Sequence, residues 1–131
     1  MENKNEEMQR VSYENYIYKQ QLSMLRSEME KITLTMLDLS NASKTISSLE
    51  IKESLVPIGG NAFVEAKVSS ENILVPIGGG YLLRMDRENS RKEMEKRTES
   101  TKKIIERLQK EYELLSKKLT ETEKRLHGMR Q

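Results

Sequence analysis

Leu55-Val56-Pro57-Ile58-Gly59-Gly60 recurs nineteen positions later as Leu74-Val75-Pro76-Ile77-Gly78-Gly79. Each copy runs into a second apolar stretch, Ala62-Phe63-Val64-Glu65-Ala66-Lys67-Val68 after the first and Tyr81-Leu82-Leu83-Arg84-Met85 after the second. Short β-branched and apolar runs on either side of two or three glycines read as β-hairpins, because glycine adopts the positive φ of a tight turn without steric cost. The repeat therefore predicts two hairpins in tandem, joined by Ser69-Ser70-Glu71-Asn72. Pro57 and Pro76 have no N–H for the strand ladder, which places them at an edge or a bulge.

A patch of some thirty residues buries little apolar surface, and isolated hairpins are marginal in water. Leu55, Val56, Ile58, Phe63, Val64, Ile73, Val75, Ile77, Tyr81 and Leu83 consequently need cover from outside the patch, and oligomerisation through these strands follows from that need.

Outward from the repeat, the composition changes. Residues 51–85 hold both prolines and five of the six glycines, whereas 1–50 and 86–131 are charged and glycine-free apart from Gly128. In the first arm a stripe at alternating spacings of three and four runs through Met8, Val11, Asn15, Tyr18, Leu22, Leu25, Met29, Ile32, Met36, Leu39, Ser43 and Ile46. The second arm repeats the pattern with Met94, Thr98, Thr101, Ile105, Leu108, Tyr112, Leu115, Leu119, Thr122, Leu126 and Met129. A stripe kept for five heptads or more is a coiled-coil seam. Asn15 sits at an a position, where a polar residue trades stability for a fixed register, and the three threonines weaken the second seam.

Two arms of matching length on either side of one connector suggest that they fold back on each other. The fold class read from the residues is α+β: a long antiparallel coiled-coil helical hairpin with two tandem β-hairpins at the connecting end. The divisions are 1–50 (first coiled-coil helix), 51–85 (hairpins, an oligomerisation platform) and 86–131 (second coiled-coil helix).

Composition excludes several functions. Only 35% of residues are hydrophobic, against about 45–50% in an ordinary globular domain, and 34% are charged. That is too little core for a compact enzyme. Cysteine is absent and His127 is the single histidine, so no thiolate nucleophile or Cys/His metal site is available. The glycines do not open a helix as a phosphate-binding loop requires. No catalytic residue, cofactor or metal ligand is expected. The second arm carries 14 basic and 10 acidic residues, without the clustered cations and interleaved aromatics of a nucleic-acid face. No apolar run is long enough for a membrane span and no signal-type stretch opens the chain, so a cytoplasmic location is expected.

One surplus remains. Tyr13, Tyr16 and Ile17 lie off the seam near the start of the first arm, and Leu126 and Met129 fall at the same end of the returning arm. Apolar and aromatic residues beyond the needs of a two-helix seam mark a binding surface. Methionine and tyrosine suit contact with varied partners.

Helix, two tandem hairpins, helix, with Leu55–Gly60, Ala62–Val68 and Ile73–Met85 at the centre, resembles the alpha-class subunit of the archaeal-type prefoldin family over essentially the whole chain. Beta-class subunits of that family have one hairpin, so the doubled repeat matches the alpha class. Pro76 is less usual there and keeps the filament-forming gamma type as an alternative.

The resemblance implies a hexamer of two alpha and four beta subunits whose hairpins oligomerise into a β-barrel platform. It also implies an ATP-independent chaperone that captures unfolded client proteins at coiled-coil tips and delivers them to a group II chaperonin. Carried over by position, client contact would fall to Met8, Val11, Tyr13, Tyr16, Ile17, Leu126 and Met129. Assembly would fall to the hairpin residues named above. The competing readings are a filament-forming structural coiled coil and, behind it, a nucleic-acid-binding arm.

Overall fold

The structure is a computed structural model that describes residues 4–130. Its elements are α1 (Lys4–Ser48), β1 (Glu53–Gly59), β2 (Ala62–Lys67), β3 (Ile73–Gly78), β4 (Tyr81–Met85) and α2 (Arg87–Arg130). The described residues form two compact units. One takes α1 up to Met36 together with α2 from Thr101 on, and the other is Leu37–Ser100.

The first unit is an antiparallel helix pair. Every seam position expected there is buried or half-buried, from Met8 to Met36 on α1 and from Thr101 to Met129 on α2. Direction and register are fixed by cross-helix bonds. The Asn15 amide donates to Thr122 Oγ1 at 3.0 Å, and Arg26 donates to the Tyr112 hydroxyl at 2.7 Å. Asn15 and Thr122 are both buried, and the Thr122 hydroxyl donates onward to the Leu119 carbonyl at 2.8 Å. Thr122 is therefore the partner that makes a buried asparagine tolerable, since an unpaired amide there would lose its hydration without replacement.

The second unit holds both hairpins with the adjoining helix segments. β1 pairs with β2 and β3 with β4, each as a separate two-stranded antiparallel sheet. Gly60 and Asn61 (φ 59° each) and Gly79 and Gly80 (φ 62° and 80°) turn the chains. Positive φ at both central residues is the type I′ geometry whose twist matches that of paired strands. The register slips once in each hairpin, between Pro57 and Gly59 and between Pro76 and Gly78. Each proline thus stands immediately before a bulge, where the ladder is already interrupted.

The core of this unit is Ile46, Val75 and Met94, with Leu39, Ala42, Ile73 and Met85 packed around them. Asp86 caps α2 by accepting the Asn89 N–H at 2.7 Å, which satisfies one of the helix's orphan donors. Arg87 donates to the Leu49 carbonyl and reaches Glu71 at 3.4 Å. One side chain so ties the end of α1, the link between the hairpins and the start of α2.

Candidate interaction surfaces

The two hairpins share a sequence but not an environment. Val75 is fully buried between Ile46 and Met94, and Arg97 from α2 donates to the Pro76 carbonyl at 2.8 Å. Val56, the matching residue of the first copy, is 43% exposed, and no first-hairpin residue joins the core. The expectation that all the strand apolars await a partner is corrected here. Val75 and Ile73 are covered by the chain's own helices, because the second hairpin lies against a helical seat that the first lacks. Leu55, Val56, Ile58, Phe63 and Val64 remain exposed, as do Leu74, Ile77, Tyr81, Leu82 and Leu83. Leu74 and Leu82 extend the set named from the sequence.

At the end of the helix pair that holds Met8 and Met129, the residues expected to form one surface divide. Val11 is fully buried and Leu126 is 7% exposed. Both are seam residues that hold the helices together, so they offer no free surface. Tyr13 and Tyr16 project outward at 66% and 56% exposed. Met8, Ile17 and Met129 are half-buried. Arg125 and Glu7 form an exposed ion pair at 3.4 Å at the same end, a contact worth little by itself.

The helix pair also exposes apolar residues that seam counting passed over: Met24, Leu34 and Leu114. Their signal in the sequence is their position off the a/d stripe, the test that singled out Tyr13 and Tyr16. Two shallow grooves flank the seam. One is lined by Arg26, Met29, Glu30, Thr33, Leu34 and Tyr112, with the Arg26 guanidinium 5.9 Å above the Tyr112 ring. Tyr112 raises the Arg26 pKa above its ordinary value by accepting its hydrogen bond. The other is lined by Gln21, Met24, Leu25, Glu28, Glu111 and Leu115.

Among the described residues, no group of three or more His, Asp or Glu is arranged to hold a metal ion, and no helix is long and apolar enough to cross a membrane.

The family model "Prefoldin subunit" matches residues 18–130. The chain belongs to the prefoldin family. Among curated prefoldins, it is 30% identical over 125 residues to prefoldin subunit alpha of Methanococcus aeolicus, covering 83% of this chain and 87% of that one. It is 28% identical over 127 residues to prefoldin subunit alpha 1 of Methanocaldococcus jannaschii, covering 96% and 89%. In fold it is similar to a chain of the filamentous prefoldin of M. jannaschii solved by cryo-electron microscopy. The TM-score is 0.71 at 23% identity, over 84% of this chain and 95% of the other.

Two long helices and two small antiparallel hairpins are thus a prefoldin architecture of the alpha type. As a prefoldin the chain is a subunit of a chaperone-type assembly, and exposed strands are what a chain completed by other prefoldin subunits would present.

Proposed function

We propose that this chain is an ATP-independent chaperone subunit that captures non-native proteins at the end of its helix pair and passes them to a group II chaperonin. The observation that carries the reading is the outward placement of Tyr13 and Tyr16, at the same end of the helix pair as half-buried Met8, Ile17 and Met129. Such a patch gains little by being wet and offers apolar contact to an unfolded segment without selecting its sequence. One patch binds weakly. In the proposed hexamer of two alpha and four beta subunits, several helix pairs act on one client, and effective concentration turns weak contacts into retention. The free hairpin faces supply the assembly contacts, the charged helix flanks keep neighbouring pairs apart, and the complex works in the cytoplasm.

The test is suppression of aggregation of a chemically unfolded protein by the chain assembled with beta-type subunits. Removing residues 1–18 and 119–131 should abolish suppression while the oligomer persists. Full suppression by the truncated complex would defeat the assignment.

A second reading, self-assembly into filaments through the hairpins, draws support from the fold similarity to a filamentous prefoldin. Electron microscopy of the purified chain alone separates the two. Long regular filaments favour self-assembly, and small particles that grow only on adding beta-type subunits favour the first reading.

A further inference from the structure

The groove lined by Gln21, Met24, Leu25, Glu28, Glu111 and Leu115 lies on one flank of the seam, away from the end of the helix pair, and is no part of the capture surface described above. Its volume is about 370 Å³, toward the low end of the roughly 300–1,000 Å³ of small-molecule sites. It is a shallow trough suited to side chains inserted from a passing segment. Leu25 and Leu115 form its floor as half-buried seam residues. Met24 stands on its lip at 71% exposure, a flexible and polarisable side chain that adapts to varied apolar shapes.

Charge narrows the occupant. α2 belongs to the arm with 14 basic residues against 10 acidic ones, yet the charged side chains lining this trough are both carboxylates, Glu28 and Glu111. Among the described residues Glu28 has no ion-pair partner, and Glu111 is reached by Arg107 at 3.9 Å with both side chains more than half exposed. The trough on the other flank carries one charge of each sign, Arg26 and Glu30, and makes no such choice.

We propose that the Met24 trough is a second client-contact site. It takes segments of non-native proteins in which an apolar side chain is flanked by lysine or arginine. The apolar side chain lies on Leu25 and Leu115 under Met24, and the flanking cations meet Glu28 and Glu111. Opposite charges on the rim then bias which segments bind more than they strengthen binding overall. The inference rests on the capture of non-native chains proposed above and gives that activity a substrate preference.

The experiment uses the full-length chain and a fluorescein-labelled sixteen-residue peptide, with leucine at alternating spacings of three and four and lysine elsewhere. A matched peptide carries glutamate in place of lysine. Fluorescence anisotropy at low ionic strength should show the lysine peptide binding about tenfold tighter, as two exposed charge pairs allow, with the preference fading at high salt. Glu28→Gln with Glu111→Gln should shrink the preference to about twofold, with helix content by circular dichroism unchanged. Met24→Ser should weaken both peptides alike. Arg107→Gln should tighten the lysine peptide by removing a competing cation.

Tyr13→Ser with Tyr16→Ser should lower suppression of aggregation yet leave this preference intact, so failure of the capture surface and failure of the trough are distinguishable. A preference unchanged in the Glu28→Gln, Glu111→Gln variant overturns the proposal. So does a change in the oligomer's mass in that variant, which would make another copy of the chain the occupant.

Discussion

Replacing Thr122 with valine keeps the side-chain volume and removes the hydroxyl that accepts the Asn15 amide. In the native pair the amide donates to Thr122 Oγ1 at 3.0 Å, with Asn15 7% and Thr122 4% exposed. Water cannot readily replace that acceptor, so the variant buries an unpaired N–H. The cost of such a group is about 1–3 kcal/mol, and we expect Thr122→Val to lose about 2 kcal/mol.

The reverse substitution is asymmetric. Asn15→Leu leaves the Thr122 hydroxyl donating to Leu119 at 2.8 Å, removes a buried amide and restores an apolar a position. It should be neutral or stabilising by roughly 1 kcal/mol. Together the two substitutions give an all-apolar layer, so the double variant should be more stable than the sum of the singles by about 1–2 kcal/mol. The assay is urea unfolding followed by circular dichroism, with midpoints compared at a common m value. A Thr122→Val variant as stable as the parent would refute the argument, because the buried amide would then have found another partner. So would additivity of the two substitutions.

Val75→Ala should destabilise the chain by about 2 kcal/mol in the same assay, from lost burial and a partial cavity. Val56→Ala, at the matching position of the exposed hairpin, should cost under about 0.5 kcal/mol in the isolated chain, and equal costs would contradict the division between the hairpins. Tyr13→Ser with Tyr16→Ser should reduce suppression of aggregation severalfold without altering the unfolding midpoint, checked by light scattering of a chemically unfolded protein. The Arg91 hydrogen bond and charge hold the Glu88 carboxyl below its ordinary range. A depressed folded pKa contributes stability that is present above the unfolded value near 4.5 and lost as pH falls through the lowered one. Glu88→Gln should therefore flatten a small acid-side decline in thermal stability below about pH 4.5 and leave neutral pH nearly unchanged, as suits an exposed pair.

The helices, the hairpins and the turns were legible because each rests on local chemistry. Heptad spacing fixes the seam from Met8 to Met129, and Gly60-Asn61 and Gly79-Gly80 make the two reversals. The prolines before each bulge were legible for the same reason, since a missing N–H restricts them wherever the chain goes. What sequence could not separate were identical local signals with different surroundings. Val56 and Val75 occupy the same place in the repeat, yet Val75 is buried and Val56 open, because only one hairpin can lie on the single seat made by Ile46 and Met94.

Val11 and Leu126 failed as surface candidates for a related reason. They lie at the right end of the helix pair but belong to the seam, while Tyr13 and Tyr16, two residues beyond Val11 and one beyond Asn15, point outward. Pairing across the seam was equally hidden. Thr122 reads as a weak seam position until the register sets it against Asn15. The Met24 trough needs both helices in place before its acidic rim exists.

If other prefoldin chains complete the open hairpin faces, this chain should not persist alone in their presence. Native mass spectrometry of this chain at micromolar concentration, mixed with a beta-type subunit, is the sharpest check. Discrete multi-chain particles with almost no free chain are expected. A lone 15.3 kDa species persisting as the main peak would contradict it.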